Sequence, residues 1–233
     1  MKRAAVFLVL AAAACTPPQK SAPQEDLIER EVALFMAVGV QDTTQLSKGQ
    51  WAGYSVRTAG SPRTVAIRLA VVDVKDGTYW IENRTTSSQG TGQTPRTLIM
   101  KYQIDESAKP LQIWMAELGG NPTQVFPRKD GGKDVELPQA AEEPKSNVQV
   151  AEETITISAT GKQYDCTRLT SKASYQGSKE TTLVTWCSKD VPFSVKYAGK
   201  SYGGVVRRTY GNHTLELEMK GTDAVPMLKL PEK

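Results

Sequence analysis

The rhythm of apolar and polar positions changes twice along this chain. Ala4 to Ala14 is an unbroken apolar run that stops at Cys15. From Glu25 to Val38, Ile28, Val32, Phe35 and Met36 recur at helical spacing, and Leu27 and Leu34 widen the stripe. Glu25 and Asp26 fall in the first turn, where they complement the helix dipole. This predicts an N-terminal helix packed on a sheet, because its acidic charges would be repelled by anionic lipid. Beyond it, alternation with period two takes over. Strands are predicted at Trp51–Thr58, Thr64–Val74, Thr78–Thr85, Arg96–Ile104, Leu111–Leu118 and Thr123–Phe126. After a break come "ETITIS", "QYDCTRLTS", "TTLVTWCS", "FSVKYA", "GVVRRTY" and "HTLELEMKG". The order of these short strands predicts a mainly β fold, an antiparallel meander with one helix. The stretch 127–147 is rich in Pro, Gly and charge and reads as a loop or linker. Each half alone has few apolar strands, so residues 25–233 are read as one β-rich domain, with two subdomains as the alternative.

Two hairpins set expected registers. Asp76-Gly77 is a strong turn signal and predicts Val72 opposite Ile81 and Val74 opposite Tyr79. That register leaves apolar residues on both faces, with Asp73, Trp80 and Glu82 sharing a face with Ile67, Leu69 and Val71. Two explanations stand: a curved sheet with a wet, partly apolar inner surface, or a register shifted by one. In the second hairpin, a turn around Gln176, Gly177 and Ser178 sets Cys166 opposite Cys187 and Leu169 opposite Val184. This predicts a structural disulfide, which closing such a loop would make worth about 3 kcal/mol. A metal or redox pair is the weaker reading, since there is no C-x-x-C and no nearby histidine.

Lys2 and Arg3 precede the apolar run, which is too short to span a bilayer and fits a signal peptide over residues 1–14. Ala12, Ala13 and Ala14 before Cys15 resemble a bacterial lipobox, with Ala12 where leucine is commoner. The resemblance implies a lipoprotein cut before Cys15 and acylated there, palmitate-like chains holding it at a bilayer. Each buried acyl CH₂ contributes about 0.8 kcal/mol, so several chains anchor firmly. Thr16 follows, not Asp, which by the same resemblance implies the outer membrane, facing the periplasm. Residues 15–24 then form a lipidated, Pro-rich tether.

Charge adds mainly exclusions. Setting Lys2 and Arg3 aside, the 29 basic residues become 27 against 25 acidic ones, without a basic block. A nucleic-acid partner is therefore not expected. His213, the one histidine, lacks the G-x-S-x-G or H-E-x-x-H context of a catalytic or zinc residue and reads as a strand-edge residue. Gly199-Lys200-Ser201 reads as a hairpin turn, because Ser194 stands where a phosphate loop needs glycine. Asp73 and Glu82 could pair for glycoside hydrolysis, though charged surface is the simpler reading. No cofactor or metal site is expected.

Read in order, "GQWAGY", "GTYWIENR", "TLIMKY", "IWMAELGGNPTQVFP", "YDC", "TWCSKDVPF" and "GTDA" resemble a family of exported bacterial β-rich proteins of uncharacterised activity. The matching positions are Gly49, Trp51 and Tyr54; Tyr79, Trp80 and Glu82; Trp186, Ser188, Val191 and Pro192; and Gly221 to Ala224. That family is similar in pattern to the half-barrel of bacterial lipoprotein carriers. The resemblance implies a curved antiparallel sheet holding an acyl chain or another apolar ligand. The expected function is thus a non-enzymatic binding module for a lipid or hydrophobic ligand, its groove lined by Ile67, Leu69, Val71, Tyr79, Trp80, Leu98 and Met100. The alternative is a structural or adaptor protein of a cell-envelope complex.

Overall fold

The structure is a computed structural model that describes residues 40–62, 64–88, 94–127, 148–173 and 180–231. The signal segment, Cys15, the tether and the helix expected from Glu25 to Val38 lie outside the described residues, as do linker residues 128–147. Among the described residues there are twelve strands and no helix. They are β1 (Trp51–Thr58), β2 (Thr64–Lys75), β3 (Thr78–Ser87), β4 (Arg96–Ile104), β5 (Pro110–Glu117), β6 (Thr123–Phe126), β7 (Gln149–Thr156), β8 (Gln163–Ala173), β9 (Thr181–Ser188), β10 (Ser194–Tyr197), β11 (Lys200–Tyr210) and β12 (His213–Gly221).

All twelve belong to one open antiparallel sheet, ordered β6-β5-β4-β3-β2-β1-β12-β11-β9-β8-β7, with β10 added to β11. The first six strands form the expected meander. Its seam is the pairing of β1 with β12, from Trp51–Gly221 to Thr58–His213. The Asp76-Gly77 and Ala198-Gly199 turns both have positive φ at their two central residues, the geometry of tight hairpins.

Direct cross-strand partners share a face, so the ladders sort the side chains. One face, here the core face, carries Ala52–Leu69–Asn83–Met100–Met115 and, beside it, Leu217–Tyr54–Ile67–Thr85–Leu98. Tyr54, Ile67, Leu69, Val71, Ile81, Leu215 and Leu217 are buried in the main hydrophobic cluster. Segments outside the strands contribute to that cluster too. Val40 and Leu46 come from the chain before β1, and Val191 and Phe193 from the turn leading into β10. That turn sits close because Gly203 and Gly204 have no side chains. A Cβ at Gly204 would stand 2.0 Å from the Pro192 carbonyl oxygen, far inside contact distance.

The opposite face is crossed by the C-terminal segment after β12, here called the strap. Ala224 N–H donates to Gly49 O at 2.9 Å, and the Ala224 side chain packs with Ala70, Val72, Trp51 and Trp80. Leu228 then packs with Ile99 and Ala116, beside Trp114 and Leu230. Between these anchors, the Glu82 carboxylate accepts the Met227 and Leu228 N–H groups at 2.9 Å each. Lys101 donates to Leu228 O at 2.9 Å and stands 3.7 Å from Glu82. Toward β7 the same face is covered differently: Arg207 bonds both Glu216 and Thr156 O, laying the end of β7 over the β11–β12 pair.

Both expected registers are corrected. In β2–β3 the pairs Val74–Tyr79 and Asp73–Trp80 hold, but a bulge at Val72 then sets Val71, not Val72, opposite Ile81. The extra residue resolves the conflict of faces. Ile67, Leu69, Val71 and Ile81 go to the core face, and Trp80, Glu82 and Val72 to the strap face. In β8–β9 the ladder is slipped by one from the expected register: Cys187 faces Thr167 and Leu169 faces Thr185. A slip of one sends alternate side chains to the other face, so Cys166 and Cys187 point to opposite faces. They are free, buried thiols and the expected disulfide is absent. Burial, the leading cause in each case, pushes the Cys166 thiol up to about 11 and Cys187 to about 12. Both are therefore protonated at neutral pH and poor nucleophiles. In the native chain both should resist alkylation, and in urea without reductant both should take up maleimide. Peptide mapping that recovered a Cys166–Cys187 cross-link would contradict this register.

Candidate functional site

Seven residues were expected to line one groove, and the structure divides them into three groups. Ile67, Leu69 and Val71 are on the core face but at most 4 % exposed, so they are packed interior and not open wall. Tyr79, Leu98 and Met100 share that face and are half-buried. Trp80 is on the strap face, packed against Ala224. The bulge at Val72 is the reason, since it leaves Trp80 in register with Asp73.

What stays partly open on the core face is a strip across β3, β4 and β5. Asn83, Met100 and Met115 occupy one ladder row, Thr85 and Leu98 the next, and all five are half-buried. Met115 and Asn83 extend the expected set. Their signal was present in the alternation of "IWMAEL" and "YWIENR", but the even spread of apolar residues hid which face they join. The strip is soft and apolar, with two unbranched thioethers that adapt to irregular shapes. Asn83 and Thr85 interrupt it with polar groups, and the Asn83 Oδ1 is buried with no hydrogen-bond partner among the described residues. A buried unpartnered acceptor is costly, and a donor supplied from outside would relieve it.

Further along the same face, toward β9 and β11, a row runs Leu169–Thr185–Arg208–Leu215–Val56. Arg208 Nε donates to Thr185 Oγ1 at 3.1 Å. Burial lowers the Arg208 pKa and raises that of the Tyr54 hydroxyl, to which Arg208 is electrostatically coupled. In "GVVRRTY" nothing distinguishes the arginine that joins the apolar face from its neighbour Arg207.

The carboxylates considered for hydrolysis have separate duties. Lys48 donates to Asp73 at 2.8 Å, and this hydrogen bond holds the Asp73 carboxyl below its ordinary range. Glu82 is taken up by the strap amides. His213 Nδ1 lies 2.9 Å from Thr58 Oγ1 at the start of β12. Among the described residues no group of three or more His, Cys, Asp and Glu is placed to hold a metal ion.

Three of the motifs that carried the resemblance are structural neighbours. Trp51 Nε1 donates to Asp223 Oδ1 at 2.7 Å across 172 positions of sequence. A Cβ at Gly49 would stand 2.3 Å from Thr222 O, and one at Gly221 2.5 Å from Trp51 Nε1. "GQW", "YWIE" and "GTDA" together fasten the strap. Compared with protein-family models, curated proteins and solved structures, the chain matches none.

Proposed function

We propose that this protein is a lipoprotein, anchored through an acylated Cys15 at the periplasmic face of the outer membrane, and that its sheet binds a lipid or other apolar ligand without catalysing a reaction. The observation that carries the reading is the half-buried strip of Asn83, Thr85, Leu98, Met100 and Met115 on the core face. Apolar side chains left partly accessible beside a closed core, with one unpartnered acceptor among them, suit a ligand with a hydrocarbon body and a polar donor.

A curved, half-barrel sheet is part of the proposal. Thr43 Oγ1 donates to Glu106 O at 2.6 Å, and Gln41 Oε1 accepts from Lys196 N at 2.8 Å. Three residues thus reach from the β4–β5 turn to β10. A flat sheet would hold those elements four or five strand spacings apart, roughly 20 Å. The likeness to lipoprotein carriers in the sequence motifs points the same way.

The full chain, extracted in mild detergent, is expected to retain an amphiphile in native mass spectrometry and to take up a polyene fatty-acid probe. Met100→Glu places a charge in the strip and should weaken probe binding by tenfold or more, the cost of desolvating a carboxylate. Peptide mass mapping should find residue 15 as the acylated N-terminus. A wild-type chain that carries no amphiphile and ignores the probe would overturn the binding reading, and a pull-down of one envelope protein would then favour the adaptor role.

A further inference from the structure

The strap face holds a second feature that the ligand strip does not use. Arg68 on β2 and Arg84 on β3 are direct cross-strand partners, so their side chains leave the sheet side by side. Like charges in this arrangement repel and destabilise a sheet unless an anion lies between them. No carboxylate within ion-pair distance serves either one among the described residues. Two carboxylates stand nearby without pairing: Glu82 spends both oxygens on the strap, and Asp223, whose charge Arg68 favours, accepts from Trp51 Nε1. Arg84 Nη1 points to the Met227 sulfur, a weak acceptor. Arg68 lies over the Trp51 ring, its guanidinium carbon 4.2 Å from the ring centre, and its Nε is buried without a partner. The Trp51 ring therefore fixes one guanidinium plane, and the strap fixes the other.

Burial and the neighbouring Arg68 both lower the Arg84 pKa, against a smaller opposing effect of Glu82, so Arg84 is a partly desolvated cation beside a like charge. The surroundings are apolar and open: Met219 is 60 % exposed, Val225 71 % and Met227 43 %. Met219 lies on the same ladder row, through Gly53 to Arg68.

We propose that Arg68 and Arg84 form an oxyanion site for a phosphate group, taken either as free phosphate or as the headgroup of a net-anionic phospholipid whose apolar part meets Met219, Val225 and Met227. Two guanidinium forks present paired N–H donors that match phosphate oxygens. An anion between them would remove the repulsion that the empty pair sustains. The site is on the opposite face from the ligand strip and stands whether or not that strip binds lipid.

The test uses the mature chain, residues 15–233, carrying Cys15→Ser, so that neither an acyl chain nor the apolar run Ala4–Ala14 drives association. Thermal unfolding is compared in sodium phosphate and in sodium chloride at equal ionic strength. Co-sedimentation is measured with vesicles of phosphatidylglycerol mixed into phosphatidylcholine, against phosphatidylcholine alone. If the source is free phosphate, phosphate raises Tm over chloride. If it is a headgroup, the chain sediments with phosphatidylglycerol vesicles only, without a shift in free phosphate. In either case Arg84→Gln and Arg68→Gln each lower apparent affinity about tenfold or more, the loss of a charge-assisted contact. Arg68→Lys with Arg84→Lys keeps the charge but loses the forks, and should still fall severalfold. Arg57→Gln, an equal loss of charge on the same face of β1, should leave binding unchanged. Without ligand, the two Gln variants should melt no lower than wild type, since each removes the repulsion; a large fall would assign the pair to folding and overturn the proposal. Absence of binding in both arms, or an equal loss with Arg57→Gln, would also overturn it.

Discussion

Glu82→Ala is expected to cost about 3–5 kcal/mol of folding stability and to release the strap, the loss typical of breaking a buried, hydrogen-bonded ion pair. Glu82 is 2 % exposed and satisfies two backbone donors, while Lys101 stands beside it with its ammonium on Leu228 O. Alanine leaves those amides without their acceptor and Lys101 without its counter-charge in a buried place. Glu82→Gln keeps one acceptor oxygen but loses the charge, so its cost should be smaller and still measurable. Urea unfolding gives the total. Hydrogen exchange separates the local part, because the Met227 and Leu228 amides should lose protection in both variants before the β3–β4 ladder does. Equal protection of those amides in wild type and Glu82→Ala would show that Leu228 and Ala224 hold the strap alone.

Phe193→Ala is expected to destabilise by about 3–5 kcal/mol, the usual range for emptying a buried aromatic site. Phe193 is 1 % exposed in the main cluster, yet its φ is 66°, a conformation that costs a non-glycine residue about 1–2 kcal/mol. Burial outweighs that strain, which is why a bulky residue stays there. The same reasoning separates two variants. Phe193→Gly loses the same side chain but relieves the backbone, so it should be no worse than Phe193→Ala, reversing the usual penalty for glycine. Chemical denaturation of the three proteins checks the order. A glycine variant clearly less stable than the alanine variant would mean that the backbone there is not strained.

Much of the sheet was legible because its strands alternate cleanly and its turns are chemically marked. "WAGYSVRT", "RTLIMKYQI" and "HTLELEMKG" begin and end where the pattern does, and Asp76-Gly77 turns as its residues require. Registers were harder. A bulge at Val72 and a slip of one at Thr167–Cys187 leave composition unchanged while changing which side chains share a face beyond them. The cysteines illustrate the cost of that error, since two thiols at plausible spacing were read as bonded. The strap was not foreseen at all. "VPMLKLPEK" has two prolines and no sustained alternation, and its hold comes from Glu82 and Lys101, far away in sequence. Of the half-buried strip proposed to take a ligand, Leu98 and Met100 were legible in the alternation. The burial of Ile67, Leu69 and Val71 depends on segments that cover them, which no local pattern reports.

Placing β12 between β1 and β11 also dictates an order of folding events. Until His213–Gly221 docks, β1 and the far half of the sheet have no strand to join them, and both present raw hydrogen-bonding rims. Chains truncated before His213 should be sticky and protease-sensitive, whereas docking of β12 closes the seam through contacts distant in sequence.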